Sequence, residues 1–422
     1  METTMKNETA ERVLILSADT GEYDNEWSVQ ELKELIRTAG GETEGVIIQK
    51  LERANALSYI GSGKLAEAEL FCHNREIDLV VCDTELTVTQ QRYLEKTLET
   101  RVIDRTLLIL DIFAAGAKTS EGKLQVELAQ LSYALSNLSG HGSEYSRLGG
   151  GIGTRGPGES KLESDRRHIR RRVYALKDRL KGLEARRAMR RDKRKRDGVI
   201  TAAIVGYTNA GKSTLLNALT GAGVLAENKL FATLDPTSRA LKLPDGREVM
   251  LIDTVGFISR LPHLLVEAFH STLEEAADAD VLILLGDAAD PAVETQLDEA
   301  RAILKDLGAE HTPTVTVYNK CDIANAYLLP VTRHTVRISA LKGVGLTALL
   351  REIADVIPGG TAEIRVVLPY RETALAAFLH EKGQVLDESY EEDGVHIRAV
   401  IDLVFLNKFF PYLNEQTEKN TT

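Results

Sequence analysis

Gly206-Tyr207-Thr208-Asn209-Ala210-Gly211-Lys212-Ser213-Thr214 follows a β-type run, Thr201 to Val205, and opens an apolar helical stretch. The fold of the chain's centre turns on this segment. A Gly-x4-Gly-Lys-Ser/Thr match is expected on the order of 0.01 times by chance in a sequence of this size. Its glycines let backbone N–H groups turn inward around phosphate oxygens at the positive end of the helix beginning near Lys212. Lys212 adds a fixed positive charge, and the Ser213 hydroxyl suits a hard Mg²⁺ ion that takes its other oxygens from the nucleotide phosphates. The strand, loop and helix together predict a P-loop, Ras-like G domain.

Four more segments follow in the order a guanine-nucleotide switch requires. Phe231-Ala232-Thr233-Leu234-Asp235 reads as switch I, because Thr233 can reach the metal only while the γ-phosphate holds its loop in place. Asp253-Thr254-Val255-Gly256 ends the apolar strand Val249 to Ile252 and reads as switch II, with Asp253 holding a metal-bound water and the Gly256 N–H meeting the γ-phosphate. Asn319-Lys320-Cys321-Asp322 follows the β-type run Thr314 to Tyr318. A carboxylate at Asp322 accepts from both N1–H and the N2 amine of guanine, which adenine cannot offer, so GTP is the expected nucleotide. Ser339-Ala340-Leu341, after Thr335 to Ile338, offers a backbone N–H to the guanine O6. The catalytic set is then Lys212, Thr233 and Gly256. Phe257 stands where many signalling GTPases keep a water-orienting glutamine, so intrinsic hydrolysis is expected to be slow. Asn209 resembles the asparagine that helps some GTPases hold K⁺ between the phosphates. The alternative is that it merely suits a tight turn.

The 422 residues, 43% hydrophobic and 27% charged, predict about three domains with proper cores. Met1 to Ala10 is polar with no apolar signal core, and no run approaches the roughly 20 apolar residues of a membrane span. A cytoplasmic protein is expected, peripheral at most to a membrane. Cys72, Cys82 and Cys321 show no metal-ligand spacing and read as inert core thiols.

The net charge of -11 hides an uneven distribution. Between Arg166 and Arg196 roughly half the positions are Lys or Arg, opposed only by Asp178, Glu184 and Asp192. Like charges three and four residues apart destabilise a helix, so the segment is better explained by RNA phosphates than by stability. Arg147, Arg155, Arg166, Arg167, Arg170, Arg171, Arg190, Arg191 and Arg194 are the candidate RNA contacts. Ile169, Val173, Leu176, Leu180 and Leu183 step by four and three, as do Leu124, Leu128, Leu131, Leu135 and Leu138. Two such stripes predict a long antiparallel helical hairpin, residues 105–197, with a glycine-rich tip between Gly149 and Gly158. Ser160 with Glu163 is a capping box for the second helix, on the order of 50 Å long from Lys161. Residues 1–104 alternate β-type runs (Val13 to Ser17, Gly45 to Gln49, Leu79 to Cys82) with helical ones, predicting a small N-terminal α/β domain. Its Gly61-Ser62-Gly63-Lys64 lacks the spaced second glycine and the hydroxyl of a phosphate loop, and reads as a turn into a helix. The G domain spans 198–358. Residues 361–422 read as a small C-terminal α+β domain of strand, helix, strand and strand.

With these residues in view, the chain resembles the HflX family of ribosome-associated GTPases, within the Obg and HflX superfamily. The resemblance covers nearly the whole chain and is most specific at Gly61 to Lys64, Gly122 to Ala129, the run Gly149 to Arg167, and Leu230 to Thr237. Two segments depart from the family pattern, Ala115-Gly116-Ala117 and Ser136-Asn137-Leu138. The resemblance implies binding to the large (50S) ribosomal subunit and its rRNA, GTP-dependent dissociation of 70S ribosomes during stress, and release on hydrolysis. A monomer is expected. The alternatives are a 50S assembly-checkpoint GTPase, or an RNA-binding module whose nucleotide is structural.

Overall fold

The computed structural model describes residues 10–139, 157–221, 230–231, 237–260, 265, 276–323, 329–330, 332–357 and 361–413. They fall into two units. The first lies within Met1–Glu184, Lys229–Leu234 and Ser259–Phe269, the second within Ala185–Asn228, Asp235–Ile258 and His270–Thr422.

The first unit begins with four parallel strands, β1 (Arg12–Asp19), β2 (Glu42–Lys50), β3 (Leu79–Cys82) and β4 (Arg101–Asp104), in the order β2-β1-β3-β4. Strand β4 was not anticipated, because Arg101 to Asp104 holds only two apolar residues, Val102 and Ile103, between charged ones, whereas the equally short β3 is apolar throughout. Local chemistry starts and stops the helices between the strands. Asp24 accepts from the Trp27 N–H at the head of α1 (Asn25–Ala39), and Gly40 ends that helix in the left-handed region, where a side chain would be strained. Thr87 and Gln90 form a reciprocal capping box at the head of α3 (Val88–Leu98), which follows α2 (Ser62–Arg75). The α/β layer runs on past residue 104, since α4 (Arg105–Gly116), with Ile109 and Phe113 buried, packs against α1. The Gly61 to Lys64 segment is the entrance to α2, with Gly61 as its N-cap.

The hairpin pairs α5 (Ser120–Ser139) with the single 40-residue helix α6 (Pro157–Arg196), about 60 Å long at the usual rise per residue. Its seam joins Leu128, Val173, Leu176 and Leu180, flanked by Leu124, Leu131, Ile169 and Leu183. Helix α6 starts at Pro157 rather than at Ser160. Proline is well suited to the first helical position, where its missing N–H has no partner to lose and its φ is already helical. Ser160 is therefore inside the helix.

The second unit holds two sheets. Six strands follow the order β10-β9-β8-β5-β7-β6: β5 (Ile200–Gly206), β6 (Thr237–Lys242), β7 (Glu248–Asp253), β8 (Val281–Asp287), β9 (Thr314–Asn319) and β10 (Thr335–Arg337). All pair in parallel except β6, which runs antiparallel to β7. Helices α7 (Lys212–Thr220), α8 (Val293–Asp306) and α9 (Leu346–Val356) belong to this part of the chain. The central strands β5 and β8 are apolar and buried along their length, as a sheet covered on both faces requires. The antiparallel sheet β11-β13-β12 comprises β11 (Thr361–Leu368), β12 (Gln384–Glu391) and β13 (Gly394–Asp402), with helix α10 (Thr373–Lys382) packed on it. The last strand ends at Asp402, and Leu403–Lys408 turns into a 3₁₀ helix with Phe409 buried behind it. Among the described residues no helix is long and apolar enough to cross a membrane.

Candidate nucleotide-binding site

The carboxyl ends of β5, β7, β8 and β9 carry the motif residues of the second unit, where the open parallel sheet places ligand-binding loops. Gly206 ends β5 with φ 154°, and its missing Cβ is required, because one would lie 2.2 Å from the Leu285 carbonyl oxygen. The loop turns through Asn209 (φ 62°) and Gly211 (φ 96°) into α7. Asn209 is thus at a left-handed position that asparagine tolerates better than most residues. Lys212 is only 7% exposed; its ammonium donates to the carbonyls of Gly206 (3.1 Å) and Tyr207 (2.7 Å). Burial pushes its pKa down to about 8, partly opposed by the Asp253 carboxylate. The Tyr207 hydroxyl donates to Glu299 of α8, and Ala210 is buried beneath the turn.

Ser213, in the first turn of α7, donates from Oγ to Asp253 Oδ2 at 2.7 Å. A hydroxyl and a carboxylate this close, both hard oxygen donors at the mouth of a phosphate loop, fit one side of an octahedral Mg²⁺ shell. Thr254 is buried and donates to the Ile204 carbonyl at 2.7 Å, fixing the chain as it leaves β7. Gly256 then passes over the phosphate loop. A Cβ there would lie 2.7 Å from Lys212 Nζ and 2.9 Å from Thr208 Cα. Phe257 pairs with that loop through its backbone, donating to the Gly206 carbonyl (3.0 Å) and accepting from the Thr208 N–H (2.8 Å). Its ring is buried, at 2% exposure.

On the base side, Asn319 is a strut. Its Nδ2 donates to the Ala210 carbonyl and its Oδ1 accepts from the Ala340 N–H, both at 2.9 Å, tying the phosphate loop to the Ser339-Ala340-Leu341 loop. The Ala340 N–H is therefore already engaged within the protein. Gly211 makes room for this strut, since a Cβ would lie 2.3 Å from Asn319 Nδ2. The Ser339 hydroxyl holds the Asp322 carboxyl below the usual carboxylate range, helped by Lys342 at 3.2 Å. Lys320 pairs with Asp287 at the end of β8, at 2.7 Å. Asp287 was not singled out from sequence, although an apolar run ending in aspartate was a usable signal. Cys321 donates weakly to the Tyr318 carbonyl, and burial raises its pKa, as it does for Cys72 and Cys82.

Of switch I, Ala232, Thr233, Leu234 and Asp235 lie outside the described residues. Phe231 belongs to the first unit and packs edge-on against Phe113 with centroids 4.5 Å apart. The chain beyond switch II also enters that unit. Ser259 and Arg260 join a buried polar cluster around Asp83, which is 0% exposed. Asp83 accepts from Ser28 Oγ (2.8 Å), Arg105 Nη1 (3.2 Å) and Arg260 Nη2 (2.9 Å), while Arg260 stacks 3.7 Å over the Tyr23 ring. Glu31 bridges Arg105 and the Ser259 hydroxyl. None of this cluster was read from sequence.

On α6, Arg167, Arg170, Arg171 and Arg190 are exposed and Arg166 is half-buried. Arg191 and Arg194 are engaged within the second unit, with Asp278 at 2.5 Å and Met250 Sδ at 3.7 Å. Arg147 and Arg155 lie outside the described residues.

Four family descriptions match successive parts of the chain: GTP-binding GTPase N-terminal over 26–114, GTP-binding GTPase Middle Region over 116–194, 50S ribosome-binding GTPase over 201–320, and HflX C-terminal domain over 330–404. A GTPase HflX of Caldanaerobacter subterraneus is 49% identical, over 93% of this chain and 91% of its own. The GTPase HflX of Escherichia coli is 40% identical, over 87% of each. A GTP-binding protein of Sulfolobus solfataricus, solved with GDP, is 25% identical over 82% of this chain and 98% of its own, at a TM-score of 0.45.

Proposed function

The chain belongs to the HflX family of GTPases, and from that premise we propose that its GTP-bound form binds the large ribosomal subunit, separates 70S ribosomes into subunits, and is released on hydrolysis. The observation that carries this reading is the path of the chain after Asp253. Gly256 lies against Lys212, and three and four residues later Ser259 and Arg260 are bonded into the unit that also carries most of the basic helix. A γ-phosphate that draws the Gly256 N–H toward itself must pull on those bonds. Two states of the switch then become two states of the RNA-binding unit, and by linkage the ribosome must favour the GTP state.

In this reading GTP is held by the phosphate loop Gly206 to Thr214, and Asp322 reads the guanine within a pocket that Asn319 braces. Ser213, Thr233 and, through water, Asp253 hold Mg²⁺, which neutralises charge developing on the transferred phosphoryl group. Asn209 would hold K⁺, whose positive charge would offset charge developing on the phosphates, while Phe257 supplies no group to orient the attacking water.

The test is GTP hydrolysis by the full chain with and without 50S subunits, in K⁺ and in Na⁺, beside light scattering of 70S ribosomes. Stimulation by 50S with GTP-dependent loss of scattering is the expected result. Stimulation with scattering unchanged replaces splitting by an assembly-checkpoint role, and neither effect removes the ribosome from the reading. Equal rates in K⁺ and Na⁺ remove the monovalent cation.

A further inference from the structure

The outward face of the basic helix carries one large aromatic side chain among its cations. Val173, Leu176 and Leu180 are buried in the hairpin seam with Leu128, whereas Arg167, Arg170, Arg171, Tyr174, Lys177 and Lys181 are exposed. Residues three and four apart on a helix are surface neighbours, with Cβ atoms about 5–6 Å apart, so Tyr174 sits in the middle of this stripe. It is 70% exposed, and no hydrogen bond or ring contact engages it among the described residues. The single acid beside it is Asp178. Nothing in the packing calls for tyrosine there. Lysine, arginine or alanine are all better helix formers, and a ring left in water adds nothing to the core.

We propose that Tyr174 is a stacking platform for an unpaired RNA base, with Arg170, Arg171 and Lys177 holding the phosphates on either side. The inference rests on the ribosome-binding reading above and narrows it. Every base has a π-face, and an aromatic ring beside backbone-tracking cations is how single strands are gripped without sequence readout. A paired base is already covered above and below by its neighbours, so a duplex gives the ring nothing to stack on, although the cations can still meet its phosphates. The excess of positive charge around the ring favours a polyanion over a protein partner.

The experiment measures binding of the full chain, loaded with a non-hydrolysable GTP analogue, to 50S subunits, to a short single-stranded oligoribonucleotide and to the duplex of that sequence, each across a salt series. Tyr174→Ala is expected to weaken binding to 50S and to the single strand by between about 5-fold and about 150-fold, leaving the duplex affinity and the salt slopes unchanged. Tyr174→Phe retains the wild-type affinities. Arg170→Ala instead weakens all three and lowers each slope by about one phosphate contact. Because Tyr174 is exposed, its variants should melt like the wild type. Wild-type affinity in Tyr174→Ala, equal weakening toward the duplex, or loss in Tyr174→Phe overturns the stacking role while leaving the basic face intact. If Arg170→Ala is also without effect, the RNA-binding reading of the helix falls, and the proposal with it.

Discussion

Replacing Phe257 with glutamine restores the residue type many signalling GTPases use to orient the attacking water, and the structure argues that hydrolysis will not rise. The backbone of Phe257 is fixed on both sides by the phosphate loop, through Gly206 and Thr208, and its side chain points into a site where only 2% is exposed. A glutamine placed there is buried as the ring is, away from water. Losing the buried ring removes about 1.5–3 kcal/mol of hydrophobic stabilisation, less what the glutamine stem recovers. An amide buried without a partner costs about 1–3 kcal/mol more. The sum, roughly 3–5 kcal/mol, is a large fraction of the roughly 5–15 kcal/mol that keeps a domain folded. Urea unfolding of Phe257→Gln should show this loss, while Phe257→Leu, which keeps the site apolar, should lose less than half as much. Single-turnover GTP hydrolysis, measured where both proteins are folded, should stay within about threefold of the wild type, under 1 kcal/mol of barrier. A glutamine variant of unchanged stability that hydrolyses GTP more than about tenfold faster would refute the reasoning, because its side chain would then have to reach the nucleotide.

Three further outcomes are expected. Burial holds the Lys212 pKa at about 8 in the free protein, and bound phosphates favour the charged form, so nucleotide binding takes up a proton above that pH. Fluorescent GDP titrations should give a constant affinity below about pH 7.5 and weaker binding as pH rises through 8, approaching tenfold per unit, with Lys212→Ala showing no such slope. Asp322→Asn exchanges an acceptor for a donor opposite the guanine N2 amine, so GTP affinity should fall by about 10³-fold or more while xanthosine triphosphate gains; equal binding of both nucleotides by the wild type would remove Asp322 as the base reader. Arg260→Ala removes a charge-assisted hydrogen bond to Asp83 and the stack on Tyr23, about 2–4 kcal/mol in the first unit, and should change the ratio of GTP to GDP affinity. An unchanged ratio would show that the Asp83 cluster does not feel the switch.

What was legible in the sequence, and what was not, divides along a physical line. Gly206, Gly211, Lys212 and Ser213 stand at spacings fixed by the dimensions of a phosphate group, while Asp253 and Asn319 end apolar strands and Asp322 follows three residues after Asn319, so each is marked by its neighbours. The hairpin seam was legible for the same reason, as Val173, Leu176 and Leu180 repeat with the helical period. The cluster around Asp83 has no such mark. Arg260 lies 177 residues from Asp83 in sequence, Arg105 lies 22 away, and their ion pairs impose no period and no spacing on the chain between them. Even the usable hint, an apolar strand Leu79–Cys82 followed by an acid, names one partner and not the other. Asn319 shows the same limit at close range. Its type and position pointed to the base, yet both ends of its amide are spent on the protein, bracing the two loops between which a base must fit. A sequence motif records that a residue type is required at a place. Only the fold distinguishes a residue that touches the ligand from one that holds the residues which do. The same distinction makes Arg260 the informative position for coupling, because among the described residues it is bonded to no motif residue and yet follows Gly256 by only four residues in the chain.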